Sequence, residues 1–341
     1  MLTTELDYRL PPELIAQTPT EPRDGSRLMV IDRQTGGITH HFFRDLPDIL
    51  KPADLLVAND SRVIPARLWG TKPTGGKVEL LLLRKLDDLT WRALVGGRNV
   101  REVWLPVGGA KSLHVSVMQQ PATEADWLLR FEEPVDPYLD QVGSMPLPPY
   151  IHEDLQNPLR YQTVYARVTG SAAAPTAGLH FTPDLIQHLL RRAVDMAFVT
   201  LHVGLDTFKP IDEESVESHQ IHTEWCELPP DTAMAIDAAR RRNGRVIGVG
   251  TTSVRVLESA ARDLQPGAPM QPYCGFTQLY ITPGFSYKAV DAIITNFHLP
   301  RSTLLAMIGA FMGMDLLRTA YETAIQLRYR FYSFGDAMLI L

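Results

Sequence analysis

The chain has 341 residues, of which 45% are hydrophobic and 21% charged, and its net charge is -6. That is the balance of an ordinary globular protein long enough for two domains, and it excludes disordered, fibrous and strongly basic classes. Two cysteines, Cys226 and Cys274, stand far apart in no metal or redox spacing, which argues for a reducing setting and against a disulfide scaffold.

The opening MLTTELDYRLPPELIAQ carries early acids and no apolar stretch, so it does not read as a secretory signal. SRLMVID is the first predicted strand. From 61 to 149 the chain breaks into short apolar bursts (KVELLLL, WRALVGG, EVWLPVGG, SLHVSVM, WLLRF) separated by Gly, Pro and Asp, the pattern of short strands and tight turns. This segment predicts an inserted all-β domain. Between Ser61 and Gln120 it holds ten Lys and Arg against four Asp and Glu, a local balance of +6 in an acidic chain. A solvated β surface accounts for that as well as a binding footprint does. The proline-rich GSMPLPPYI (Gly143–Ile151) marks the return to the other domain.

Beyond about residue 150 the pattern is strand, loop, helix, repeated. MAFVTLHVG, GRVIGVG and AVDAIITN are buried-strand candidates; the second leads into TTSVRVLESAAR and the third into FHLPRSTLLAMIGAFMG. Residues 1–60 and 150–341 therefore predict one α/β domain. Its longest apolar run, LLAMIGAFMGM, is shorter than the roughly 18 residues of a membrane span.

Candidate chemistry gathers at strand ends. GSAAAPTAGLHFT sets His180 behind a run of small residues that lets a ligand or another backbone approach closely. Thr182 is a fitting N-cap with Pro183 and Asp184 after it, so His180 lies in a loop just before a helix. Thr251, Thr252 and Ser253 sit between a strand and a helix, where backbone N–H groups and hydroxyls suit a carboxylate or phosphate. Asn296 and His298 follow a third strand, with Ser302 or Thr303 opening the next helix, and His202 falls at a fourth. In open α/β sheets ligands bind outside the strands' carboxyl ends, so these four stretches point to one rim. Each alone has a bland reading: a satisfied structural histidine, or ordinary capping. AARRRNGR reads as a basic helix end with a glycine stop. His219, His222 and Glu224 in SHQIHTEW have loose zinc spacing, but no HExxH is present and no metal is expected. GxGxxG, P-loop and GxSxG motifs are absent.

DYRLPPELIAQTPTEPRDGSRLMV, YQTVYA, GSAAAPTAGLHFT, TLHVG, VGTTSVRVLE, TNFHLPRSTLLAMIGAF and YRFYSFGDAMLI resemble the S-adenosylmethionine:tRNA ribosyltransferase-isomerase family of queuosine biosynthesis. The likeness covers both ends of the chain and most of the α/β part; the stretch from about 85 to 145 matches loosely. The resemblance implies a barrel-like α/β main domain with an inserted small all-β barrel. It implies transfer and isomerisation of the ribosyl group of S-adenosylmethionine onto 7-aminomethyl-7-deazaguanine at the tRNA wobble position. Epoxyqueuosine-tRNA, adenine and methionine are then the products, with S-adenosylmethionine consumed as substrate and no other cofactor.

On that reading His180, His202 and His298 are the candidate base and acid. The sulfonium acidifies the C5′ hydrogens, and departing adenine takes a proton. Thr251, Thr252, Ser253 and Arg255 would cradle the methionine carboxylate, and Asn296 the adenine edge or ribose. Arg84, Lys85 and Arg92 in the basic segment would meet the anticodon arm, since a tRNA substrate needs phosphate contacts. A cytoplasmic monomer is expected. One departure stands out: where the family reads GxGTF from the last residue of LHVG, this chain reads GLDTF, so Asp206 replaces a glycine. A methyltransferase, which would release S-adenosylhomocysteine, and a non-catalytic tRNA-binding protein are the rival classes. The first lacks the Gly-rich βα turn it would use. The second does not require the polar rim.

Overall fold

The computed structural model describes residues 1–119, 127–204 and 209–341. In chain order the strands are β1 (Arg27–Ile31), β2 (Ile38–Phe42), β3 (Leu55–Asn59), β4 (Ser61–Val63), β5 (Arg67–Thr71), β6 (Lys77–Lys85), β7 (Thr90–Val95), β8 (Glu102–Gly108) and β9 (Lys111–Gln119). They continue as β10 (Trp127–Phe131), β11 (Val168–Ser171), β12 (Asp195–Leu201), β13 (Glu224–Leu228), β14 (Val246–Val249), β15 (Tyr273–Thr277), β16 (Ala292–Asn296) and β17 (Ala337–Ile340). Helices α1 (Leu46–Ile49) and α2 (Leu139–Val142) are single turns. The longer helices are α3 (Pro183–Arg191), α4 (Pro230–Arg241), α5 (Thr251–Ala260), α6 (Thr303–Met312) and α7 (Met314–Gln326).

Nine strands form one mixed sheet in the order β15-β13-β12-β3-β14-β16-β17-β1-β2. Its centre, β12-β3-β14-β16, is parallel throughout. The four SRLMVID, MAFVTLHVG, GRVIGVG and AVDAIITN predictions become β1, β12, β14 and β16. Their continuous apolar character follows from burial on both faces. In β3, Leu55 and Val57 enter one core while Leu56 and Ala58 enter the other. Val254, Leu305 and Ile308 from α5 and α6 fill the first core; Phe181, Leu185 and Leu189 around α3 fill the second.

The helix starts follow the residues read from sequence. Thr182 Oγ1 accepts the Leu185 N–H at 3.1 Å and Ser302 Oγ accepts that of Leu305 at 3.2 Å. At the end of α4 the left-handed residue is Asn243 (φ 55), one position before the expected glycine stop.

The bursts after residue 61 form a closed six-stranded antiparallel barrel, β10-β7-β6-β5-β8-β9, together with the separate strand β4. Leu68, Leu80, Val103, Leu113, Val115 and Leu129 fill the barrel interior. β4 pairs instead with β11, and Arg67 exchanges backbone hydrogen bonds with Ser144. The chain thus enters and leaves the barrel side by side. Among the described residues no single helix is long and apolar enough to cross a membrane; α6 and α7 pass by composition only as a pair bent by 114°.

Candidate active site

Because β12, β3, β14 and β16 are parallel, their carboxyl ends share one rim. His202 follows β12, Asp60 follows β3, Gly250 and Thr251 follow β14, and Asn296 ends β16. The small-residue loop from Gly170 to His180 runs across this rim. At one end Gly170 lies under His202: a Cβ there would sit 2.9 Å from the imidazole, and φ is +145, so the position excludes a side chain twice over. Ser171 Oγ accepts from the Val203 N–H at 2.9 Å and donates to the Ala173 carbonyl at 2.7 Å. In mid-span Ala177 lies against Gly250. At the far end His180 meets Asn296. The alanines are small because this loop is sandwiched against strand ends: Ala172, Ala173, Ala174 and Ala177 are all buried.

The three histidines differ in situation. His180 is buried, stacked on Phe43 with centroids 4.9 Å apart, and hydrogen-bonded at both nitrogens: Nδ1 to Ser26 Oγ at 2.7 Å, Nε2 to Asn296 Nδ2 at 3.2 Å. Burial, reinforced by Arg23 and Arg330, pushes its pKa down to about 3, so the ring is neutral. A recess of about 20 Å³ lined by Thr20, Arg23, Arg160, His180 and Ser333 reaches it from outside. His298 is also buried and neutral, its pKa lowered to about 3 by burial. Its Nε2 bonds Thr295 Oγ1 at 2.7 Å, its backbone N–H donates to Tyr321 Oη at 2.8 Å, and its carbonyl accepts from Tyr8 Oη. A cavity of about 400 Å³ lined by Tyr8, Leu305, Leu317 and Tyr321 backs onto this histidine. His202 is half-buried, stacked on Trp225 at 5.3 Å, and its Nδ1 has no partner. Burial lowers its pKa while Asp60 opposes the shift.

The start of α5 is open. Gly250 takes the N-cap position with φ 86 and supplies no side-chain cap. Thr251 is buried at the first helical position. Thr252 Oγ1 is buried without a partner. Ser253 Oγ donates its hydrogen to the Val249 carbonyl at 2.8 Å and is fully buried, so it has no donor left for a carboxylate. Arg255, three residues after Thr252 and on the same side of the helix, is buried and paired with Glu224, yet its Nη2 has no partner. Glu224 in turn accepts from the Gly204 N–H at 2.9 Å and lies 3.2 Å from His222 Nε2. Burial raises its pKa, but Arg255, His222 and the Gly204 N–H together more than offset this and hold it below the usual range. Asn296 Oδ1 is likewise buried without a partner. Two uncommitted donors, an uncommitted amide oxygen and an accessible imidazole therefore line neighbouring strand ends. Buried polar groups left unpaired by the protein are what a polar ligand satisfies.

Glu224, Trp225, Ser26, Asp60 and Tyr332 escaped the sequence reading as parts of this site. Glu224 sits two residues after His222, which drew attention to zinc; the structure gives that carboxylate to Arg255 instead. Asp206 lies outside the described residues.

The basic segment is less exposed to a partner than its composition implies. Lys85 Nζ is held by Asp136 at 3.1 Å and Asp88 at 3.3 Å. Arg84 stacks over Phe276 of β15, 5.2 Å from its centroid, and so joins the barrel to the α/β domain. Arg92 is its cross-strand neighbour.

A family model described as queuosine biosynthesis protein matches residues 3–340. A Symbiobacterium thermophilum protein named S-adenosylmethionine:tRNA ribosyltransferase-isomerase is 50% identical over 345 residues, covering 100% of both chains. A protein of the same name from Carboxydothermus hydrogenoformans is 49% identical over 344 residues, again covering 100% of both. The crystal structure of S-adenosylmethionine tRNA ribosyltransferase from Thermotoga maritima aligns with a TM-score of 0.58 and 38% identity, over 99% of this chain and 100% of that one.

Proposed function

The chain belongs to the queuosine biosynthesis family and is an S-adenosylmethionine:tRNA ribosyltransferase-isomerase, and from that premise we propose the acceptor and the residue roles. The acceptor is the aminomethyl nitrogen of 7-aminomethyl-7-deazaguanine at the wobble position. The ribosyl group moves to it and rearranges to the epoxycyclopentane of epoxyqueuosine, with adenine and methionine leaving. The enzyme works as a cytoplasmic monomer and uses no metal or further cofactor.

The observation that carries the role assignment is the set of unpartnered polar atoms at the rim: Thr252 Oγ1, Arg255 Nη2 and Asn296 Oδ1. The first two, beside the uncapped start of α5, suit the methionine carboxylate. Asn296 Oδ1 suits an amino donor such as the adenine edge. His202 is the proton carrier: of the three histidines it alone combines partial exposure with an uncommitted nitrogen. Its lowered pKa keeps it neutral near pH 7, the form in which it takes a proton from the acidified C5′ position. His180 and His298 act as positioning residues, fixing Asn296 and the turn after β16. Ser253 has a structural role.

Acceptor dependence tests this directly. Adenine release from S-adenosylmethionine should require tRNA carrying 7-aminomethyl-7-deazaguanine. Equal release with tRNA carrying guanine at the wobble position would refute the acceptor.

A further inference from the structure

The barrel presents two large aromatic side chains to solvent although its interior is already filled. Trp69 on β5 is 43% exposed and Trp104 on β8 is 44% exposed. Exposed tryptophans are costly to leave uncovered and mark contact surfaces when they gather on one face. These two do gather. Thr71 pairs with Trp104 across the β5–β8 seam, and Trp69, two residues before Thr71, shares its outward face. Trp104 faces His114 on β9, their ring centroids 5.0 Å apart. Lys77 on β6 lies over the Trp69 ring, 4.1 Å from its centroid. The outer row therefore reads Lys77, Thr71, Trp104, His114, with Trp69 beside it.

The charge around this row is mainly positive. Lys72 donates to the Arg98 carbonyl at 3.1 Å, which brings the β5–β6 turn against the loop carrying exposed Arg98 and Arg101. Glu79 is neutralised by Arg67 at 2.9 Å, leaving as acids beside the row Glu102, 3.9 Å from His114 Nε2, and Glu132, which accepts the His114 N–H at 2.8 Å. Between the rings the face is polar, so it does not suit an apolar protein surface. Flat π faces interleaved with cations suit unpaired bases on a phosphate backbone.

We propose that the outer β5–β8–β9 face, centred on Trp69 and Trp104, is a stacking platform for unpaired bases of the tRNA. This rests on the reading of tRNA as substrate, and it moves the RNA contact from Lys85, which is engaged by carboxylates, to the aromatic row. The platform binds by stacking and charge and takes no part in bond making.

The test is fluorescence anisotropy of a labelled synthetic anticodon stem-loop RNA with the full chain. Trp69→Ala and Trp104→Ala should each weaken binding about 5- to 150-fold, the range for one lost base stack. Trp104→Phe should bind close to wild type, and S-adenosylmethionine affinity should not change in any variant. The exposed substitution Lys77→Glu, which leaves the barrel interior untouched, should also weaken binding and flatten its salt dependence. Wild-type affinity in all of these variants, while the wild type modifies tRNA, would overturn the platform alone. So would a change in oligomeric state with RNA affinity intact, which would assign the face to a second copy of the chain. A wild type that neither binds nor modifies tRNA would overturn the substrate reading together with the platform.

Discussion

Asn296 holds His180 in a single tautomer. Its amide donates to the Tyr332 carbonyl at 3.0 Å, which fixes which end is nitrogen, and the same nitrogen donates to His180 Nε2 at 3.2 Å. Nε2 must therefore be the unprotonated nitrogen, and Nδ1–H donates to Ser26 Oγ. Asn296→Asp replaces both donors with acceptors. It should cost about 1–3 kcal/mol in urea unfolding, because a buried carboxylate then faces the Tyr332 carbonyl, which keeps only the Gly335 N–H. Nitrogen NMR shifts of His180 should show the proton moved to Nε2. An unchanged tautomer would contradict the geometry.

Stability should fall as the solution is acidified. His180 and His298 have folded pKa values of about 3, against about 6.5 in an unfolded chain. Between these values the unfolded chain binds a proton at each site that the folded chain refuses. Their contribution is complete above about pH 6.5 and is lost progressively below it, at about 1.4 kcal/mol per pH unit for each histidine. Urea unfolding of wild type and His298→Gln at several pH values checks this. The variant should show the shallower slope in that window.

Gly170→Ala should damage catalysis through His202. The added Cβ would meet the imidazole at 2.9 Å and sit on a backbone with φ +145. The ring must leave its stack on Trp225. We expect kcat to fall at least about tenfold, on the scale of misplaced catalytic groups. His202→Gln should lose more activity still, with little loss of stability, since the ring is half-buried and Nδ1 forms no hydrogen bond. His180→Gln should instead lose stability first.

Thr252→Val and Arg255→Ala separate binding from folding. The Thr252 hydroxyl has no partner in the protein, so valine should leave stability within about 0.5 kcal/mol while raising the Kd for S-adenosylmethionine. Arg255→Ala strands Glu224 in the core and should cost about 3–5 kcal/mol. Thermal melts with and without S-adenosylmethionine read both quantities.

Strands β1, β12, β14 and β16 were legible because burial on both faces writes itself as continuous apolar runs; β3 (Leu55–Asn59), at the centre of the sheet, was not read. The cap residues Thr182 and Ser302 were legible because N-cap chemistry is local. The crossing loop was legible only as a puzzle: smallness in GSAAAPTAGL signals a close approach, but what approaches Gly170 is His202, as far along the chain as the 32 positions that separate Ser171 from its partner Val203, and outside any local pattern. The Glu224–Arg255 pair joins β13 to α5 across the fold, and no spacing encodes it. Charge counting also misled at Lys85, whose partner Asp136 lies 51 positions away. Composition counts charges, whereas availability depends on which of them the fold pairs.

Product analysis tests the central claim most directly. The protein is incubated with S-adenosylmethionine and tRNA carrying 7-aminomethyl-7-deazaguanine, and mass spectrometry follows the tRNA nucleosides and the small molecules. Ribosyl transfer predicts epoxyqueuosine in the tRNA with adenine and methionine released in equal amounts, and loss of all three in His202→Gln. Release of S-adenosylhomocysteine with a methylated tRNA would contradict it.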